Sequence, residues 1–230
     1  MKVRALLLAL CACALMFTVS CAPLPPKPEN GAPAETSKEE ILPMDPPVQL
    51  AERNGITYLS IRGHEMLLVN KTYHLPSNYG SGITPETQSA FGDMAAAARA
   101  GGHPIWIVSG YRSYSEQANI FARNVRRYGS EEEANRISAR AGQSEHQTGL
   151  ALDLAGSENE ILTFEFANTP TGQWLAAHCA EYGFILRYPE GKTWATGYVF
   201  EPWHFRYVGV ELAQILTDSG LSVEEYAGLV

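Results

Sequence analysis

The chain has little cysteine: four residues in 230, Cys11, Cys13, Cys21 and Cys179. Three of them lie within the first 21 positions, so a chain processed there keeps only Cys179 and can form no internal disulfide. It has no basic stretch either. The formal net charge of -8 gives no electrostatic footprint for a polyanion, which argues against nucleic acid as a partner. The apolar run from Ala5 to Val19 is too short to span a bilayer. Internal repeats and a βαβ alternation are also missing, which excludes solenoids and doubly wound parallel sheets.

What the N-terminus does have is the layout of an export signal. Lys2 and Arg4 precede the Ala5–Val19 core, and Val19-Ser20-Cys21 follows it. A small residue before cysteine resembles a lipoprotein signal, in which Cys21 is lipidated and becomes the first residue of the mature chain. Thr18 stands where such signals usually carry leucine, and simple cleavage near Ala22 is the alternative. Residues 22–50 are crowded with proline, alanine, glutamate and lysine and lack apolar periodicity, so they read as a flexible tether. The expected organisation is therefore signal 1–21, tether 22–50 and catalytic domain 51–230, exported to the cell envelope.

The chemistry is concentrated in two short strings. Ser144 to Asp153 reads SEHQTGLALD, and about fifty residues later Glu201 to His204 reads EPWH. Zinc in hydrolases is commonly held by three N or O side-chain ligands, with one position left open and a carboxylate nearby to take a proton. His146, Asp153 and His204 fit the ligand roles and Glu201 fits the base. Ligand atoms on one ion sit roughly 2 Å from it. Seven residues of extended chain would nevertheless span about 23 Å, so the chain must fold back between His146 and Asp153. Thr148-Gly149 is where it can, since glycine accepts the positive φ of a tight reversal. Leu150 to Leu154 then reads as a strand with its leucines on one face and Asp153 on the other, beside the small Ala151. Glu201 and His204 would point to opposite faces of a regular strand. Pro202 supplies the kink or bulge that aims both at one point, and Trp203, Phe205 and Tyr207 continue as the apolar side of a strand.

Each string alone is short enough to recur by chance; in this order, S-x-H-x-x-G-x-A-x-D followed by E-x-x-H resembles the D-alanyl-D-alanine carboxypeptidases of the VanY type, within the wider LAS group of zinc peptidases. Upstream, Ser109-Gly110-Tyr111-Arg112-Ser113 and Gln117 are similar to the family's SGYRS-x-x-x-Q segment, and the likeness covers roughly residues 75 to 210. It implies one zinc ion on His146, Asp153 and His204, with Glu201 as general base. It further implies that Arg112 contacts the scissile carbonyl or the substrate's carboxylate, that Ser144 helps to hold the peptide's C-terminal end, and that Gln117 is a substrate contact.

The residue types support the same chemistry. Two neutral imidazoles and one carboxylate leave a zinc site with net positive charge, able to lower the pKa of bound water toward about 7. Arg112 is always charged and offers a two-pronged donor face for a developing oxyanion or a terminal carboxylate. The expected reaction is removal of the terminal D-Ala from peptidoglycan stem peptides. An L,D-carboxypeptidase acting on tetrapeptides, an endopeptidase of the same group and a catalytically silent peptidoglycan-binding lipoprotein are the alternatives. A binding module has no need of Glu201, which counts against the last.

The remaining histidines, His64, His74, His103 and His178, lie outside both strings and read as ordinary polar residues. Tyr114 reads equally well as a functional residue or as part of an ordinary helix, whereas Trp203, an aromatic in a strand, reads as core rather than cleft wall. The expected fold is α+β: a hairpin around Arg62-Gly63-His64, a helix from Thr84 to Arg99, and a buried strand over Pro104–Val108. Helices from Ser115 to Tyr128, after Ser130 and from Gln173 to Tyr182 follow, with strands near Leu150, Phe184 and Phe205 and C-terminal helices at Glu211 and Ser222. A small, mainly antiparallel sheet would carry the metal, with helices packed around it.

Overall fold

Two antiparallel sheets form the frame. The computed structural model describes residues 48–159 and 161–230, so the expected signal, Cys21 and nearly all of the tether lie outside the described residues. The first sheet has the order β1-β2-β3, from Gln49–Arg53, Ile56–Ile61 and His64–Leu67. Its first strand starts two residues before the Ala51 boundary, so the folded domain takes in the end of the assigned tether. Asn54-Gly55 and Arg62-Gly63 close its two hairpins, each with two successive positive φ values (56° and 72°, 51° and 85°). Two left-handed residues in a row give the turn whose twist matches its flanking strands.

The second sheet has the order β4-β5-β7-β6, where β4 is Ile105–Ser109, β5 Ala151–Gly156, β6 Phe184–Leu186 and β7 His204–Tyr207. All its pairings are antiparallel. Leu152, Leu154 and Phe205 point to one face and meet Met94 and Ala98 of helix α1 (Pro85–Ala100) and Leu175 of α4 (Pro170–His178). Thr84 caps α1 by accepting from the Thr87 N–H, with Pro85 in the first turn. A second core joins Leu59, Ile61 and Met66 of the hairpin sheet to Leu212 and Leu216 of α6 (Val210–Ser219) and Val223 of α7 (Val223–Tyr226).

Three details differ from the sequence reading. Strand β4 is not buried on both sides: it is an edge strand, and Trp106 and Val108 stand in solvent at 36% and 44% exposure while Ile105 turns inward. A continuous apolar run therefore marked an edge strand rather than a central one. The helix expected over Gln173–Tyr182 stops at His178, and a 3-10 turn completes it. Beyond the expected hairpin, β1 adds a third and wholly exposed strand. Helices α2 (Tyr114–Tyr128) and α3 (Glu131–Ile137) lie where expected, capped by Ser113 and Ser130, and a short α5 (Thr193–Thr196) stands between β6 and β7. No helix among the described residues is long and apolar enough to cross a membrane.

Candidate metal centre

The face of the second sheet turned away from α1 and α4 carries the polar residues Asp153, His204 and Arg206. Asp153 on β5 and His204 on β7 are directly opposed in the strand register, so two candidate ligands meet as a cross-strand pair. The third arrives on a 3-10 turn, Glu145–Thr148, that reverses into β5. Gly149 ends that turn at φ 72°, and a Cβ there would stand 2.1 Å from the carbonyl oxygen of Gly82. Both the dihedral and the close backbone approach demand glycine.

Glu201 reaches the same point through a turn rather than a bulge: the His204 N–H donates to the Glu201 carbonyl at 3.1 Å, and β7 begins only at His204. The irregularity expected at Pro202 is therefore a turn entering the strand. It places Glu201 Oε2 3.8 Å from His204 Nδ1. Arg112 is delivered by the segment after β4, where the pairing with β5 is irregular between Ile107 and Ser109. Such irregularities re-aim side chains at strand ends. Its backbone N–H donates to the His146 carbonyl at 3.2 Å, tying the two motifs together.

His146 Nε2 is 3.2 Å from Asp153 Oδ2, and His204 Nδ1 is 3.0 Å from Asp153 Oδ1. The three ligand atoms all lie within 4.8 Å of one another, and all three residues are buried. Ligands about 2.1 Å from a tetrahedral ion sit about 3.4 Å apart, so the cluster needs little adjustment to close on one. The ring of His146 donates its Nδ1 hydrogen to the Gly110 carbonyl at 2.6 Å. Its Nε2 is buried with no hydrogen-bond partner, a loss that a metal bond would remove. Two imidazole nitrogens and a carboxylate oxygen suit zinc better than the hard, all-oxygen cations.

The charge states fit as well. Burial pushes His146 down, which favours the neutral imidazole that metal binding requires. Burial alone would push Asp153 up, but His146 and His204 overcome it and hold the carboxyl below the usual range. Burial also disfavours charge on His204, yet hydrogen bonds to Asp153 and Glu145 raise it to about 9. Without metal, His204 thus keeps a proton at neutral pH that an ion must displace. Metal affinity should accordingly rise as pH climbs toward 9, by about tenfold per pH unit near neutrality, with about one proton released per ion. Calorimetry in buffers of different ionisation enthalpy measures that proton; a pH-independent affinity with no release would contradict the assignment.

Glu201 behaves oppositely to Asp153. Burial pushes it up to about 7, with Asp153 and Glu145 adding to the effect and His204 and Arg112 opposing it. A carboxyl poised there can take and return a proton near neutral pH.

Arg112, Gln117, Ser144 and Glu201 line one small cleft with His146 and His204. Arg112 Nη2 is 3.9 Å from Asp153 Oδ2, and its buried Nε lacks a partner. Gln117 donates its amide to the Ala139 carbonyl at 2.6 Å, which leaves Oε1 buried and unmatched. Ser144 precedes the 3-10 turn without capping it, so its hydroxyl remains available to the cleft.

Sequence reasoning missed Tyr188 and Tyr198, which complete the wall. Their rings pack at 4.9 Å, and Tyr188 also lies 4.8 Å from the His204 ring. Burial pushes both phenols above their ordinary values, which keeps them neutral donors. Tyr198 is held from outside by Lys71, whose ammonium sits over its ring at 4.4 Å and donates to the Asn135 and Gly197 carbonyls. Nothing in residue spacing singles out these tyrosines from others that simply pack. The four remaining histidines stay outside the site, with His178 bonded to Glu181. Tyr114 is 37% exposed and lines no part of the cleft, and Trp203 packs on the apolar side of β7.

Comparison with known proteins agrees with this geometry. A family model, VanY: D-alanyl-D-alanine carboxypeptidase, matches residues 80–210. YodJ of Bacillus subtilis (strain 168), a carboxypeptidase by name, is 39% identical over 181 residues, covering 70% of this chain and 66% of its own length. The curated relatives are longer: the chain spans from 43% to 71% of their lengths. Among solved structures, the L,D-carboxypeptidase DacB of Streptococcus pneumoniae superposes with a TM-score of 0.70 at 38% identity, over 79% of this chain and 96% of that one. A mutant of the vancomycin resistance D,D-pentapeptidase VanY from the VanB-type cassette, in complex with Zn(II), does so with a TM-score of 0.61 at 34% identity, over 69% and 96%.

Proposed function

Since the chain belongs to the VanY D-alanyl-D-alanine carboxypeptidase family, we propose that it is a zinc-dependent D,D-carboxypeptidase that removes the terminal D-Ala from peptidoglycan stem peptides. The observation that carries the reading is the buried convergence of His146, Asp153 and His204 with Glu201 and Arg112 at one small cleft. His146, Asp153 and His204 would hold the ion, which when bound supplies a Lewis acid for the scissile carbonyl and for the attacking water.

The chain's own residues supply the rest. Glu201 accepts the proton of the water that adds to the amide carbon, then delivers it to the leaving D-Ala nitrogen, so that one carboxyl serves as base and acid in turn. Arg112 grips the terminal carboxylate or the carbonyl oxygen as charge builds on it, and its unmatched Nε marks a donor awaiting a partner. Ser144 and Gln117 orient the peptide end, Gln117 through the acceptor Oε1, which suits a substrate N–H. Tyr188 and Tyr198 close the cleft against water.

The likeness to DacB favours one second reading, an L,D-carboxypeptidase that shortens tetrapeptide stems. Zinc-loaded protein incubated with defined penta- and tetrapeptide stems separates them by mass. Release of D-Ala from the pentapeptide alone is expected; release from the tetrapeptide alone would transfer the assignment to the second reading, and cleavage inside the stem would sink both. The setting proposed for this activity is the outer face of the membrane, with a lipid on Cys21 and residues 22–50 as the spacer that lets the enzyme reach peptidoglycan. Replacing Cys21 with serine should move the protein from the membrane fraction to the medium.

A further inference from the structure

Behind the ligand face lies a second layer of charge that proton transfer and substrate binding leave unused. Arg206 shares β7 with His204, Arg187 follows β6, and the side chains of both are completely enclosed. Between them sits Glu145, also enclosed, whose Oε1 accepts from Arg187 Nε at 2.9 Å and from Arg206 Nη1 at 2.8 Å. Its other oxygen, Oε2, faces His204 Nε2 at 3.4 Å. Arg187 directs its two remaining nitrogens at Glu224 of α7, at 2.9 Å and 2.6 Å, and Asn70 donates to the same carboxylate at 3.0 Å. An unbroken chain of buried polar contacts thus runs from a metal-ligand candidate to a helix near the C-terminus.

Burial of two arginines and two carboxylates is costly, and apolar residues of similar volume often stabilise a fold as well or better. The arrangement therefore asks for a role beyond cohesion. A neutral imidazole carries one hydrogen on one of its nitrogens, and an acceptor at one position fixes which nitrogen has the lone pair. Building on the metal reading, we propose that Glu145, clamped by Arg187 and Arg206, is a positioning residue that accepts a hydrogen bond from the His204 Nε2–H and so presents Nδ1, beside Asp153, to the ion. Glu224 extends this support by fixing Arg187. His146 is set the opposite way, its Nδ1 hydrogen bonded to the Gly110 carbonyl and its Nε2 directed at Asp153. The two imidazole ligands would thus use different nitrogens, each dictated by its outer partner.

The test uses the full-length chain. Long-range proton–nitrogen correlation of the 15N-histidine protein, loaded with zinc, should show His204 protonated at Nε2 and metal-bound through Nδ1. Chelator competition should show zinc bound about 10- to 100-fold more weakly by Glu145→Gln, the range for loss of an outer partner, with a smaller loss in the same direction for Glu224→Gln, which does not touch His204. A wild-type His204 that binds through Nε2, or a folded Glu145→Gln with affinity within about twofold of wild type, overturns the proposal. Should Glu145→Gln not fold, the wild-type ring spectrum and Glu224→Gln still decide it. A wild-type protein that binds no zinc brings down the metal reading itself, whereas zinc bound through the other nitrogen removes only the role of Glu145.

Discussion

Glu201→Gln is expected to keep its zinc and lose nearly all turnover, on the order of 10³-fold in kcat, the middle of the range for a positioned acid–base group. Glutamine preserves the side chain's volume and removes only its capacity to hold a proton. Glu201 Oε2 is 3.8 Å from His204 Nδ1 and does not belong to the tight ligand cluster, so stoichiometric zinc should remain on elemental analysis. His204→Ala, by contrast, removes a proposed ligand and should lose metal and turnover together. A second readout comes from the metal-free protein. Burial raises Glu201 from 4.5 to about 7, so the folded state holds a proton there that the unfolded state releases. Stability therefore falls as pH rises from about 4.5 to 7, and the full penalty, on the order of 3 kcal/mol, persists above that. Glu201→Gln should consequently stabilise metal-free protein at pH 8 and make little difference at pH 4. Full activity in the variant would dismiss Glu201 as the base; an unchanged pH–stability profile would dismiss the cause assigned to its raised pKa.

The contrast between Glu201 and Asp153 also shows what a sequence can and cannot carry. Both carboxylates stand out by spacing, because Gly149 and Pro202 mark where the chain must deviate to bring them together. Period-two alternation was enough to put Leu152 and Leu154 on the core face and Asp153 opposite. Their different proton affinities were not legible, because they depend on what surrounds each group in the fold: the imidazoles of His146 and His204 beside Asp153, and mainly burial for Glu201. The same limit hid Glu145. It sits beside His146 in the chain, but its importance comes from Arg187 and Arg206, 42 and 61 residues away. A signal was present in those arginines, each a full charge in a short apolar strand context, Phe184–Tyr188 and Phe205–Tyr207. Charges in such places are seldom buried without partners. Edge position was likewise beyond local pattern: the run over Ile105–Val108 is apolar throughout, yet only the strand order reveals that one side of β4 has no neighbour.

Arg112 should separate the two roles left open for it. Its side chain is 24% exposed, faces the cleft beside Glu201 and Asp153, and has a buried Nε without a partner, so a ligand oxygen would find an unsatisfied donor there. Burial lowers its pKa, though Asp153 and Glu201 oppose the shift and an arginine remains charged throughout the working pH range. If Arg112 grips the terminal carboxylate, Arg112→Lys should lower kcat/KM by about 10²-fold on a peptide ending in a free carboxylate, because an ammonium cannot reproduce the planar two-pronged contact. The same peptide ending in a carboxamide, already a poor substrate of the native enzyme, should then lose little more on substitution. If Arg112 instead stabilises the oxyanion, native enzyme should cleave both peptides, and the substitution should slow both by similar factors, mainly in kcat. The unmatched Nε favours the carboxylate clamp, because a carboxylate can accept from Nε and an Nη of one guanidinium edge together. Equal losses on the two peptides would refute the clamp, and with it the reason for preferring an exopeptidase to one that cuts within the stem.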